Sequence, residues 1–289
     1  MKPAITSEIV VAYFQCPRKA YLLLFSPDKG EPHEYAQLLE QQRCENQERY
    51  IDHLQQTHAD VQPYSVENLR QGSKVLINAH LQVDGFASHC GVLTRVEGTS
   101  AFGKYSYEPS ICVGTHSIST EQKLALSFVG YVLERLQHTS PMAGRIVGMD
   151  GKSHTIKLGE SATSLTSLLE PLLAWTAVDS PKQPPVMLNH HCPTCQFQRM
   201  CRAKAIQEDH LSLLGGITPK EIRKFNSKGI FTIHQLSYTF RPRRIRHRPR
   251  NYTRPHSFAL QALALRNRKI YVHETPTEFI SIKPLVAKV

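Results

Sequence analysis

The sequence has no apolar segment long enough to cross a membrane. Near its start the longest apolar run is IVVAYF, at residues 9–14, whereas a membrane-spanning helix needs about 20 apolar residues. No cleavable signal pattern, with a basic start and a small-residue cleavage site, precedes this run. These absences predict a soluble cytoplasmic protein that does not act at a membrane.

Cysteine is too unevenly spaced, and odd in number, for the disulfide framework of a secreted protein. Of the seven cysteines, Cys192, Cys195 and Cys201 lie within ten residues, and no cysteine follows them. A reducing compartment favours metal binding over disulfides. Three thiolates make an incomplete tetrahedral site, so the sequence predicts a fourth ligand elsewhere in the chain.

Acidic residues are scarce in the second half of the chain. Residues 151–289 carry 22 Lys and Arg against 8 Asp and Glu, whereas residues 1–150 carry 13 against 16. A positive surplus concentrated in this way favours binding to nucleic acid. Residues 241–254 contain seven arginines and two prolines, and we expect an exposed or disordered arm there.

Hydrophobic patterning predicts an α/β fold with strands in the middle of the first 205 residues. We expect strands, rich in β-branched and aromatic residues, over 74–98, 105–113 and 144–158. The last of these is expected to be a hairpin that turns on Asp150-Gly151. Amphipathic helices are expected from Ser7, over 33–56, over 119–137 and over 164–178. The third opens with a capping box formed by Ser119 and Gln122.

The C-terminal part reads as a separate all-α module. Thr218-Pro219 starts a first short helix, Gly229 interrupts it, and Thr232 caps a second. The predicted domains are therefore a mixed α/β core over 1–205, this module over 206–240, and an arginine-rich arm with a C-terminal segment over 241–289.

Cys16 is the strongest candidate for the fourth ligand. A zinc ribbon would need a second Cys-x-x-Cys or a spaced histidine pair, and the sequence has neither. Cys44 is expected on a polar helix, and Cys90 and Cys112 on strands, where cysteine is usually a small buried hydrophobe. Cys16 instead precedes a helix whose N-terminus, with Arg18 and Lys19, stabilises a thiolate.

The motif CPRKAYL at 16–22, together with CPTCQFQRMC at 192–201, resembles the iron-sulfur staple of RecB-like nucleases, including the four-cysteine exonucleases of CRISPR systems. The resemblance covers about residues 5–205. It implies a restriction-endonuclease-like, PD-(D/E)XK fold with a mixed sheet flanked by helices, whose ends are joined by a 4Fe-4S cluster. The implied ligands are Cys16, Cys192, Cys195 and Cys201. Zinc bound by the same cysteines is the alternative.

The catalytic motif of that family is incomplete in this sequence. The family holds Mg²⁺ or Mn²⁺ with an Asp on one strand and (Asp/Glu)-x-Lys on the next. Here Gly91 stands where the aspartate is expected. Ser110 stands two residues after Glu108, where the motif has lysine, and Val113 rather than lysine stands at the strand end. Asp84 and Glu108 are the remaining catalytic candidates. A lysine substitute would have to come from a shifted position, at Lys104, His116 or Lys123.

The region around 213–236 looks like a helix-hairpin-helix, which grips the phosphate backbone of DNA without reading sequence. A plain helical linker is an equally weighted alternative. Lys224 and Lys228 would neutralise phosphates, and Gly229 would allow close backbone approach. The following arginines pair bidentately with phosphates, and those assigned to DNA are Arg241, Arg243, Arg244 and Arg246.

In longer RecB-like proteins a comparable region precedes an RNase H-like exonuclease or helicase segment. This chain ends before such a segment, so we expect the N-terminal part of a longer protein, or a separate exonuclease or helicase subunit as partner. The first hypothesis is an iron-sulfur protein that binds single-stranded DNA or a duplex end with an eroded nuclease site. The alternatives are an active Mg²⁺ or Mn²⁺ exonuclease and a zinc-stabilised nucleic-acid-binding adaptor.

Overall fold

The computed structural model describes residues 3–159, 162–241 and 258–271, without the side chains of 162–164. These residues divide into two compact units. The first comprises the described residues up to Val186 together with His190–Met200. The second comprises Met187–Asn189 and the described residues from Cys201 onward.

A seven-stranded mixed sheet organises the first unit, which confirms the predicted α/β fold. Its strands are β1 (Ile5–Thr6), β2 (Val61–Pro63), β3 (Val75–Val83), β4 (Phe86–Ser100), β5 (Gly103–Cys112), β6 (Ala143–Val147) and β7 (Ser153–Lys157). The strand order is β2-β3-β4-β5-β6-β7, and β1 pairs with β4 in parallel. Strands β3, β4 and β5 form the expected antiparallel meander, whereas β5 and β6 are parallel.

Helices pack on the sheet through two hydrophobic clusters. The helices of this unit are α1 (Ser7–Gln15), α2 (Pro17–Phe25), α3 (Glu34–Thr57), α4 (Val66–Gln71), α5 (Thr120–Gln137) and α6 (Ala162–Ala177). Leu76 and Leu93 belong to the cluster formed with α1, α5 and α6. Their strand neighbours Val75 and Val92 pack with Leu54 of α3. Because adjacent strand residues point to opposite faces, the sheet is covered on both sides.

Local sequence signals account for several of these boundaries. The Ser119 hydroxyl accepts from the Gln122 amide at 3.2 Å and the Gln122 side chain accepts from the Ser119 amide at 2.9 Å, which confirms the capping box of α5. The β6–β7 hairpin is also confirmed, with Gly151 at φ +74 in its turn. Gly148 and Lys152 close this connection by a 3.0 Å backbone hydrogen bond, so it is longer than the expected two-residue loop.

The second unit is helical, with a core formed by Leu211, Leu214, Ile222, Ile233, Leu236 and Ala262. Helix α7 (Gln198–Gln207) begins in the first unit, and α8 (Pro219–Asn226), α9 (Ile233–Ser237) and α10 (Phe258–Asn267) follow. Thr218 and Thr232 cap α8 and α9 with complete capping boxes, which confirms the two predicted short helices. Among the described helices, none has the length and apolar character needed to span a bilayer.

Candidate functional site

A cavity of about 590 Å³ lies in the first unit, between α3, the ends of β4 and β5, and α5. It is the natural candidate for a binding site because concave, partly apolar pockets are where proteins take ligands. The residues that decide its chemistry are Glu8, Glu40, Arg43, Gln47, His89, Gly91, Ile111 and Val113, all of which line it.

Gly91, at the position expected for the aspartate, and Val113, at the strand end, both line this cavity. Ser110, at the position expected for the lysine, is buried and does not line it. A Cβ atom added at Gly91 would lie 3.2 Å from Oε1 of Gln47, so a larger residue there requires Gln47 to shift. None of these three positions offers a carboxylate or an amine for metal chemistry.

Asp84 and Glu108 are not brought together. Asp84 lies with Gly85 in the turn between β3 and β4, with φ +49, and its Oδ2 is 3.4 Å from Nη1 of Arg135. Glu108 pairs with Thr94 on β4, and its Oε1 accepts a 3.3 Å hydrogen bond from the Ala143 amide. From Phe86, next to this turn, to Thr94 the strand extends about 26 Å, at roughly 3.3 Å per residue. Neither carboxylate lines the cavity.

The suggested substitutes for the missing lysine are also outside the cavity. Lys104 is the second residue of β5, His116 lies in the loop after β5, and Lys123 lies on α5. All three side chains are exposed. Gln122, next to Lys123, does line the cavity, but its side chain caps α5 and donates to Thr115 Oγ1 at 2.9 Å. The cavity therefore has no amine where the family would place one.

Helix α3 supplies a polar network instead. Arg43 donates from Nε to Glu40 Oε2 at 2.8 Å and from Nη2 to Glu40 Oε1 at 2.6 Å. Its Nη1 donates to Gln47 Oε1 at 2.9 Å, and Gln47 donates in turn to Asn78 Oδ1 at 2.8 Å. The hydrogen bonds from Arg43 lower the pKa of Glu40. The guanidinium is thus already neutralised by a carboxylate of its own helix.

His89 and the buried thiols of Cys90 and Cys112 favour their neutral forms. His89 pairs across the strands with His80, and their ring centroids are 4.7 Å apart. Partial burial, and to a lesser extent the positive charge of His80, lowers the pKa of His89. Burial raises the pKa of both Cys90 and Cys112 to about 12. A protonated, buried thiol is a poor metal ligand, which agrees with a packing role for these two cysteines.

The cysteine-rich segment lies against helix α2, at whose N-terminus Cys16 stands. The Tyr21 hydroxyl donates to the Pro181 oxygen at 3.1 Å, and Arg18 Nη1 donates to the Pro184 oxygen at 2.7 Å. Further along, the Gln196 side-chain amide donates to the Lys29 oxygen. Residues 181–196 are therefore held along residues 18–29, and this stretch contains Cys192 and Cys195.

All four cysteines of the predicted staple are half-buried. Cys192 begins a single 3-10 turn, which Cys195 closes by donating its amide to the Cys192 oxygen at 3.1 Å. Cys201 follows in the first part of α7 and is counted with the second unit. Across the described residues, no three His, Cys, Asp or Glu side chains are already arranged as a group able to hold a metal ion.

Arg18 is a buried cation without an anionic partner. Only 5% of it is exposed, its Nε has no hydrogen-bond partner, and within the described residues no carboxylate forms an ion pair with it. A buried charge is costly unless it is paired. Since Arg18 lies two residues from Cys16, a metal–thiolate centre, which is negatively charged, would supply the missing partner. Four half-buried cysteines and a buried cation have the chemistry of such a centre, although the described side chains are not already arranged as one.

The predicted DNA-binding residues lie mainly in the second unit. Lys224 is on the last turn of α8, and Lys228 and Gly229 are in the turn before α9, all three exposed. Gly229 has φ +75, which explains a glycine there by backbone conformation. Arg241 is exposed. The remaining predicted arginines, Arg243, Arg244 and Arg246, lie outside the described residues.

No protein-family model matches the chain, and no curated protein matches it.

Proposed function

We propose that this chain is an iron-sulfur protein of the RecB-like nuclease family that binds DNA without cutting it. The observation that carries the proposal is the lining of the cavity. Gly91 and Val113 line the cavity at positions where the resemblance leads us to expect an aspartate and a lysine. Phosphodiester hydrolysis of this type relies on a cation held by a carboxylate pair and on an activated water.

Asp84 and Glu108 do not restore that chemistry, and the glutamates that line the cavity are Glu8 and Glu40. Asp84 and Glu108 are separated by more than half of strand β4. The carboxylate oxygens that bind one Mg²⁺ or Mn²⁺ lie at roughly 2.0–2.2 Å from the ion. Glu40 lines the cavity but is held by Arg43. An active exonuclease built on Asp84 and Glu108 is therefore the less favoured of the two nuclease hypotheses.

The cysteines are proposed to hold a 4Fe-4S cluster rather than zinc. The hydrogen bonds that join Pro181 and Pro184 to α2 and the buried Nε of Arg18 without a partner support a negatively charged centre bound by Cys16, Cys192, Cys195 and Cys201. When bound, the cluster would act as a structural cross-link between distant parts of the chain. Zinc on the same thiolates is the competing assignment. We place the protein in the cytoplasm, where reducing conditions keep thiols available to a metal.

The second unit is proposed to supply most of the DNA affinity. Lys224 and Lys228 flank the end of α8 with exposed side chains, and Arg241 follows α9. Contacts of this kind neutralise phosphates and position the DNA without reading its sequence. If DNA has to be cut or unwound, the activity would come from a separate exonuclease or helicase subunit.

Fluorescence anisotropy with labelled DNA over a series of salt concentrations tests the DNA-binding part of the proposal. We expect log affinity to fall linearly with log salt, and the Lys224→Ala/Lys228→Ala variant to reduce the slope by about 2, at roughly 0.9 per lost phosphate contact. Lys104→Ala, which removes an exposed lysine of the first unit, is the matched control and should leave the slope unchanged. Affinity that does not respond to salt would contradict phosphate binding.

A further inference from the structure

We propose that a surface of the second unit, formed by His234, Tyr238 and Arg266, stacks the unpaired bases of single-stranded nucleic acid. The inference rests on the proposed DNA binding and specifies which form of DNA is bound and by which side chains. We refer to these three residues as the stacking surface.

Tyr238 is held in place while much of it stays in solvent. Its side chain is 66% exposed. The guanidinium carbon of Arg266 lies 4.3 Å from its ring centroid, and Arg266 Nη1 donates to Ser237 Oγ at 3.0 Å. The hydrogen bond fixes the guanidinium over the ring, so one face of Tyr238 already carries a cation.

His234 orients the same ring from its edge. The two rings are nearly perpendicular, with centroids 5.1 Å apart, and the Tyr238 hydroxyl lies 3.4 Å from His234 Nε2. The His234 amide is itself held by Asp209 Oδ2 at 2.7 Å. The stacking surface is therefore ordered before any ligand arrives, which lowers the entropic cost of binding.

The Arg266–Ser237 hydrogen bond belongs to the packing of α10 on the end of α9, whereas the Tyr238 ring lies outside the hydrophobic core. The hydrophobic core of the second unit contains Leu236 and Ala262, which are neighbours of Tyr238 and Arg266 on α9 and α10, but not Tyr238 itself. An exposed aromatic ring with a fixed guanidinium on it resembles the aromatic and arginine platforms on which nucleobases stack.

The charge around the stacking surface suits a phosphate backbone. Arg241 lies three residues after Tyr238, and Arg268 and Lys269 follow Arg266, all with exposed side chains. Asp209, which contacts this surface, accepts a hydrogen bond from the His234 amide. Cations beside an aromatic ring match the alternation of phosphate and base along a strand.

Single-stranded nucleic acid is the ligand class that this geometry selects. In a duplex the base faces are covered by their neighbours, so an aromatic side chain cannot stack on them without unstacking the helix. Every base has a π-face, so the expected binding is tolerant of sequence. The stacking surface is thus expected to discriminate strand state and the lysines of α8 to provide general affinity.

Anisotropy with labelled oligothymidylate and with a blunt duplex of the same length, on the full chain, tests this inference. We expect Tyr238→Ala to weaken binding of the single strand about tenfold, within the range typical of one lost base stack, and to leave duplex binding and the salt slope unchanged. Tyr238→Phe keeps the ring and should bind like the original chain. Phe231→Ala removes another exposed aromatic of the same unit and should have no effect.

The outcomes separate this inference from the proposed function. If the chain binds DNA but Tyr238→Ala binds the single strand unchanged, or loses single strand and duplex equally, the stacking surface does not hold unpaired bases. If the original chain binds neither DNA, the proposed DNA binding itself fails. Circular dichroism melting of Tyr238→Ala, expected to match the original chain because the residue is exposed, excludes misfolding as the cause.

Discussion

Arg43 holds both carboxylate oxygens of Glu40, at 2.6 and 2.8 Å, in the lining of the candidate cavity. The two residues lie one turn apart on α3. Because the two side chains form an ion pair, a metal would have to displace Arg43 from Glu40, and a phosphate would have to displace Glu40 from Arg43. The pair therefore engages Glu40, one of the two glutamates, with Glu8, that line this cavity.

The pair makes the stability of the protein depend on acid pH. The pKa of Glu40 is lowered in the folded state by its hydrogen bonds with Arg43, so its contribution is present above the unfolded-state value of about 4.3 and is lost as the pH falls through the folded value. Urea unfolding should show Glu40→Gln less stable than the original by about 0.5 kcal/mol near pH 7, because the pair is partly exposed. The difference should shrink as the pH falls through the lowered folded-state pKa of Glu40.

Glu97→Gln is the matched control for this pH experiment, since Glu97 is an exposed glutamate on β4. It should unfold like the original chain at neutral and at acid pH. A difference between the original and Glu40→Gln that persists in acid would show that the ion pair is not its source.

Asn46 connects the ends of two strands beneath the cavity. Its amide donates to the backbone oxygens of Val113 and Val147, both at 2.9 Å, and only 3% of the residue is exposed. Asn46→Ala leaves the Val113 carbonyl without its side-chain donor, whereas the Val147 carbonyl still accepts from the Val113 amide at 3.0 Å. We therefore expect the free energy of unfolding to fall by about 1–3 kcal/mol. Gln41→Ala, an exposed change on the same helix, should stay within about 0.5 kcal/mol. If Asn46→Ala and Gln41→Ala lowered the free energy of unfolding in urea equally, the two hydrogen bonds of Asn46 would not contribute specially to stability.

The cysteine assignment predicts a brown protein when the chain is purified without oxygen. We expect a broad visible absorption band and about four iron atoms per chain. Cys16→Ser and Cys192→Ser should lose most of the iron, whereas Cys44→Ser, which changes an exposed cysteine outside the set, should keep it. A colourless protein that contains one zinc would favour zinc on the same cysteines and contradict the cluster.

Arg18 offers an independent test of a negatively charged centre. Its Nε is buried without a partner, and we expect it to stabilise added negative charge close to Cys16. Arg18→Gln should lower the reduction potential of the bound centre and its iron content, whereas Arg18→Lys, which keeps the charge, should retain more of both. Spectroscopic redox titration measures the first quantity and metal analysis the second. Identical potentials in all three proteins would mean that Arg18 does not face the centre.

Local signals in the sequence were sufficient for the secondary structure and the fold class. Ser119 with Gln122, and Thr218 with Glu221, are capping boxes that need only neighbours three residues apart. The Asp150-Gly151 hairpin likewise needs only a residue that tolerates positive φ. Such features are fixed within one turn or loop, so their prediction does not depend on the rest of the fold.

The candidate site depended on long-range register and could not be read in the same way. Asp84 and Glu108 looked like a carboxylate pair because they lie on consecutive strands, but pairing of Thr94 with Glu108 places them far apart. Helix α3 appeared to be an ordinary surface helix. The one available signal was that Leu39, Arg43, Asn46 and Tyr50 recur at helical spacing, which puts polar groups on the inward stripe.

The central claim is that the chain binds DNA without cutting it, and one experiment addresses this directly. End-labelled single-stranded and duplex DNA is incubated with the chain and Mn²⁺, and half of each sample is run on a native gel and half on a denaturing gel. We predict a retarded complex on the native gel and full-length DNA on the denaturing gel. Shortened DNA that disappears with Glu108→Ala would contradict the account and would establish an active nuclease.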